Sequence, residues 1–105
     1  MNAAPALDAL GNPTRRAILT LLAGGDRSVN AIAREFPVSR PAISRHLRSL
    51  ESAGLVAQER AGREHVFRLE RGGFDSVRQW LDAFWREALP EFARVAEQSW
   101  EERSR

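Results

Sequence analysis

The chain has 105 residues, 43% of them hydrophobic and 29% charged, with a formal net charge of +2, which fits a single domain over residues 1–105. There is no Cys, which excludes disulfides, thiolate metal sites and thiol redox sensing. No apolar run approaches the roughly 20 residues that span a bilayer, and the segment MNAAPALDAL lacks a signal peptide's basic flank and apolar core, so no membrane partner and a cytoplasmic location are expected. Charge is unevenly placed: residues 1–71 carry 11 Arg against 7 acids, and residues 72–105 carry 5 Arg against 7 acids. The front of the chain is therefore the candidate polyanion-binding surface. All 16 basic residues are Arg, which suits phosphate and guanine geometry, although codon usage is the favoured explanation.

In chain order, the pattern predicts a short helix over residues 3–10, closed at Gly11-Asn12. Asn12 caps a second helix, 13–23, with Pro13 at its first position and Gly24-Gly25 at its end. Its Ala17, Ile18, Leu21 and Leu22 share one face. A third helix, 28–36, starts at Ser28 and closes at Pro37; a fourth, 39–53, starts at Ser39 and ends at Gly54. Two short helices this tightly joined suggest a helix-turn-helix. Strands are expected at 55–60 and 64–70 around Ala61-Gly62-Arg63, with imperfect alternation at Val66-Phe67. Gly72-Gly73 reads as a chain breaker, followed by a long helix over 74–102 that Pro90 should kink or split. The expected class is mainly α with a small β-hairpin.

The fourth helix carries the chemistry. Ile43, Leu47 and Leu50 form a narrow apolar stripe, and Arg40, Pro41, Ser44, Arg45 and Arg48 occupy a broad opposite arc. Residues 39–49 contain three Arg and no acid. A solvated surface helix also turns polar residues outward, but it usually mixes in acids. The basic, hydroxyl-bearing face suits a major groove, where Arg reads guanine edges and Ser reaches a base or a phosphate. His46, at the edge of the apolar stripe, either touches a phosphate or packs half buried.

The chain resembles the ArsR family of winged helix-turn-helix repressors. The resemblance lies in Ala6 to Leu19 (ALDALGNPTRRAIL), Ser39 to Leu50 (SRPAISRHLRSL) and Ala53-Gly54-Leu55-Val56, and the hairpin with Arg60 and Gly62-Arg63 fits as the wing. It covers residues 5–70 closely and the tail loosely. The resemblance implies a winged helix-turn-helix that dimerises through its first and last helices, binds a double-stranded DNA operator as a homodimer and represses transcription. Carried over by position, the implied DNA contacts are Ser39, Arg40, Pro41, Ser44, Arg45, His46 and Arg48, with Arg60 and Arg63 on the wing. The metal-sensing branch places thiolates in the helix that here reads SVNAIAR, or His and acids in the last helix. This chain has neither Cys nor any His after His65, so it is similar to the metal-free branch: no metal site and no cofactor are expected, and an effector remains unnamed.

Residues 75–100 hold three Trp and two Phe, more apolar surface than one exposed helix hides, since each ring presents ~150–250 Å². Intrachain core, an effector pocket and a dimer interface all account for it. The dimer is favoured, through Leu7, Leu10, Trp80, Leu81, Phe84, Trp85, Leu89 and Phe92. Asp75, Asp82, Glu87 and Glu91 read as a solvated face. Catalysis has no nucleophile-and-base pair, phosphate loop or metal motif to rest on, so no enzyme is expected. The remaining alternative is a winged-helix protein–protein interaction module, against which the acid-free Arg face argues.

Overall fold

The computed structural model describes residues 2–104; the side chains of Phe92, Ala93, Glu101 and Ser104 fall outside the description. The elements are α1 (Ala4–Leu10), α2 (Pro13–Ala23), β1 (Arg27–Ser28), α3 (Val29–Arg34), α4 (Arg40–Ser52), β2 (Val56–Ala61), β3 (Glu64–Leu69) and α5 (Arg71–Ser104). Helix starts follow the expected caps. Asn12 Oδ1 accepts from the Arg15 N–H at 3.0 Å, Ser28 Oγ from Ala31 at 3.1 Å and Ser39 Oγ from Ala42 at 3.3 Å, each satisfying one N–H that the helix cannot. α3 is shorter than expected, ending at Arg34 rather than residue 36. Phe36 still packs against the core.

Ile18, Leu19 and Leu22 of α2, Ile32 of α3, Ile43, Leu47 and Leu50 of α4, and Leu55, Val56 and Phe67 form one buried core with Ala6 and Ala9 of α1. The α4 stripe is thus the inner face of the helix, and its Arg-bearing arc is left outside. The hairpin pairs Val56 with Leu69 through Ala61 with Glu64, so Ala61 belongs to the strand and the turn is the two residues Gly62-Arg63. The sheet has a third strand that the sequence pattern did not suggest. β1 pairs antiparallel with β3, Arg27 opposite Phe67 and Ser28 opposite Val66, giving the order β1-β3-β2. Two residues are too few to show alternation. The adjacent apolars of β3 are explained by their faces: Phe67 is buried and Val66 half buried.

The largest departure is at the last helix. It begins at Arg71, not Phe74, and Gly72-Gly73 lies inside it. The reason is close approach. Gly54, with φ of 73°, ends α4 in the left-handed region, and its carbonyl accepts from the Gly73 N–H at 2.7 Å. A Cβ on Gly73 would lie 2.5 Å from the Ala53 carbonyl oxygen and 2.8 Å from Gly54. The glycine therefore allows two backbones to touch, and Ser76, buried beside it, donates to the Gly73 carbonyl at 2.8 Å. Nor does Pro90 split the helix: α5 runs continuously for 34 residues. Pro90 is exposed, so the Arg86 carbonyl that it deprives of a partner can turn to water.

α5 packs its first turns, through Phe74, Ser76 and Val77, on the body and then leaves it, giving a molecule 69 Å long and 29 × 20 Å across. Trp80, Leu81, Phe84, Trp85 and Leu89 are between 43% and 53% exposed, Val95 50% and Trp100 70%. Trp80 stacks on Phe84 at 5.6 Å, and Phe84 meets Trp85 edge-on at 6.0 Å. Among the described residues, no helix is long and apolar enough to cross a membrane.

Candidate nucleic-acid interface

α3 and α4 form the helix-turn-helix, and the Ser39 cap fixes where α4 begins. The three buried residues of α4 then set its rotation. With Ile43, Leu47 and Leu50 inward, Arg40, Pro41, Arg45 and Arg48 are exposed and Ser44 is half buried at the rim. Arg45 and Arg48 have no hydrogen-bonding partner or ion pair among the described residues, so their donor forks are open to an incoming acceptor. Arg40 is held more firmly, its Nε–H donating to Asn30 Oδ1 of α3 at 2.8 Å. That bond leaves its terminal nitrogens for other acceptors.

The hairpin brings the second group. Arg60 and Arg63 are both exposed, and Arg60 Nε–H donates to the Gly62 carbonyl at 3.3 Å, folding its side chain along the turn. Arg63 and Arg40 line one small concavity of about 80 Å³ with Ser28, Val29, Asn30, Glu64 and His65, so the start of α4 and the tip of the hairpin share one surface. Lower on the hairpin, Arg68 pairs with Glu59 at 3.7 Å, which takes that cation out of the open set.

His46 is half buried. Its Nδ1 accepts from Arg15 Nε–H of α2 at 3.2 Å. Burial, and then the positive charges of Arg15 and Arg45, hold its pKa below the ordinary histidine value. With Nδ1 as acceptor the neutral ring carries its proton on Nε2 and offers a donor there. Sequence reasoning did not single out Arg15. It lies 31 residues from His46, in a helix outside the helix-turn-helix, and no spacing rule links the two.

The residues expected at a dimer interface fall into two groups. Leu10 packs against the core of its own chain and Leu7 is half buried, whereas Trp80, Leu81, Phe84, Trp85 and Leu89 line the projecting part of α5. The side chain of Phe92 lies outside the described residues. Among the described residues, no group of three or more His, Asp or Glu is placed to hold a metal ion.

Residues 12–58, which include the whole helix-turn-helix, match the family model for bacterial regulatory proteins of the arsR family. An HTH-type transcriptional regulator of Mycobacterium tuberculosis is 44% identical over 90 residues, covering 86% of this chain and 84% of that protein. The transcriptional repressor SdpR of Bacillus subtilis is 37% identical, covering 70% of this chain and 81% of its own length. A homodimeric winged helix-turn-helix DNA-binding domain from Mycobacterium bovis superposes with a TM-score of 0.63 at 35% identity, over 81% of this chain and 78% of that one. This chain accordingly belongs to the ArsR family of bacterial regulatory proteins, and is a winged helix-turn-helix transcriptional regulator rather than an enzyme.

Proposed function

We propose that two copies of this chain bind a palindromic duplex operator and repress transcription from it. The observation that carries this reading is the exposed, acid-free arc of α4, whose Arg45 and Arg48 have no described partner and whose Arg40 shares a surface with Arg63 of the hairpin. In this reading α4 enters the major groove. Arg45 and Arg48 read base edges with Ser44, and Ser39, Arg40, Pro41 and His46 fix the register against the backbone. Arg60 and Arg63 hold the flanking phosphates or minor groove.

The dimer is supported by the projecting half of α5. Hiding roughly 100 Å² of each half-exposed ring, at about 25 cal/mol per Å², gives about 2–3 kcal/mol per ring. Pairing along α5, with Leu7 and Leu10 of α1 near its start, would place two recognition helices about 34 Å apart, one turn of DNA. The homodimeric neighbour from Mycobacterium bovis lends the same support. Footprinting on a selected operator should show a two-fold symmetric site of two half-sites, with affinity falling steeply with salt, by a log–log slope of about −0.9 per phosphate contact. A single asymmetric half-site bound by a monomer would overturn the dimer, and salt-independent binding would overturn the α4 reading.

A further inference from the structure

Beside the recognition helix lies a second basic surface that neither the motif nor the wing accounts for. α2 and α4 face each other across an open cleft of about 600 Å³, lined by Arg15, Arg45, His46, Arg48, Ser49 and Ser52. The lining holds three guanidinium groups, one imidazole and two hydroxyls, and no acid. Three other arginines of the body have acceptors at hand: Arg68 has Glu59, Arg40 has Asn30, and Arg16 has the Leu10 carbonyl at 2.7 Å. Here the described partner of Arg15 is the neutral ring of His46, engaged through Nε alone. Both terminal nitrogens of Arg15 therefore remain as donors, fixed in direction by that bond. Burial, and then the charges of Arg15 and Arg45, act against protonation of the His46 imidazole in this cleft.

We propose that this cleft seats a DNA phosphodiester and that Arg15 is a DNA-contacting residue outside the helix-turn-helix and the wing. The proposal rests on the DNA-binding reading above. Like charges gathered without an acid repel one another, and a bound anion relieves that cost. A phosphodiester presents two acceptor oxygens, matching the Arg15 fork, with the Ser49 or Ser52 hydroxyl as a neutral donor. The cleft continues from the base-reading arc through Arg45 and Arg48, which line both. A backbone that passes α4 on its way out of the groove therefore reaches Arg15 on one flank, as it reaches Arg63 on the other. His46 acts here as a positioning residue: it holds Arg15 through Nδ1.

The test is a salt series of duplex binding with the full chain, by fluorescence anisotropy, on operator and on unrelated duplex. Arg15→Ala should weaken both by a similar factor, about five- to tenfold, and reduce the log–log salt slope by about 0.9. Arg15→Lys, which keeps the charge, should retain the parent slope. Ser52→Glu, at an exposed position, places an anion in the cleft and should weaken binding at least tenfold without lowering thermal stability, which keeps the test valid should Arg15→Ala unfold. Weakened binding with an unchanged slope would make Arg15 a packing residue and overturn the proposal, as would parent-like binding of Ser52→Glu. Absence of salt-dependent binding in the parent chain would instead remove the DNA-binding reading itself.

Discussion

The body of the molecule and the outer half of α5 leave opposite kinds of surface uncovered. On the body, most large apolar side chains are turned into one core, and what remains outside over residues 40–49 of α4 includes three arginines and no acid. On outer α5, tryptophan, phenylalanine and leucine stay about half exposed, and the acids lie on the same helix. Water tolerates the first surface and disfavours the second. An unpaired guanidinium suits a polyanion, and an aromatic stripe suits another apolar surface. One chain thus carries two unfilled requirements of different chemistry, joined by the first turns of a single helix.

The comparison breaks most visibly if outer α5 is made polar. Trp80→Glu with Leu89→Glu should convert a dimer to a monomer by light scattering and lower operator affinity by 10²–10⁴-fold, because the second half-site is no longer tethered. A double variant that remains dimeric would place the interface elsewhere. The joint between the regions is probed by Gly73→Ala. The added Cβ meets the Ala53 carbonyl at 2.5 Å, and relief by backbone shift should cost about 1–3 kcal/mol. Thermal unfolding should then fall by about 4–8 °C per kcal/mol; a parent-like midpoint would mean that the two backbones separate freely.

On the body side, Arg45→Ala should lose about 1–3 kcal/mol of discrimination between operator and mismatched sites, while Arg63→Ala should weaken all sequences alike. Competition binding on single-base variants separates the two outcomes. The smallest effect concerns His46. Its pKa is lowered in the folded chain, so as pH falls through the ordinary histidine value the unfolded chain takes up its proton first. The stability contributed by the neutral ring is present above that value and lost below it. Between pH 7.5 and 5.5 the parent should therefore lose slightly more thermal stability than His46→Gln, and equal losses would remove the assignment.

What could be seen in the sequence was whatever the backbone announces locally. Asn12, Ser28 and Ser39 mark helix starts by chemistry that acts within three residues, and the α4 stripe marks its buried side by period. The exposed arginines of α4 and the hairpin followed directly. Features set by contacts between distant segments were hidden. The strand at Arg27–Ser28 exists because β3 offers an edge, and Arg15 enters the site because α2 packs beside α4. Gly72-Gly73 shows the limit most plainly. Glycine is a poor helix former, and the pair was read as a terminator; only the approach of Gly54 shows why a helix accepts it. Of the two outcomes that Pro90 allows, a kink or a split, the split is excluded, because the helix continues through it.

The hydrogen bond from Gly73 to Gly54 spans the end of one functional helix and the start of the other. In a dimer joined through α5, no flexible spacer then lies between the element that reads DNA and the element that fixes the partner. In such a dimer a rotation of one α5 against its mate would be carried to α4 as by a welded lever rather than a tether. Half-site spacing would then be a property of how two helices cross, and any ligand or substitution that altered the crossing would retune which operators fit.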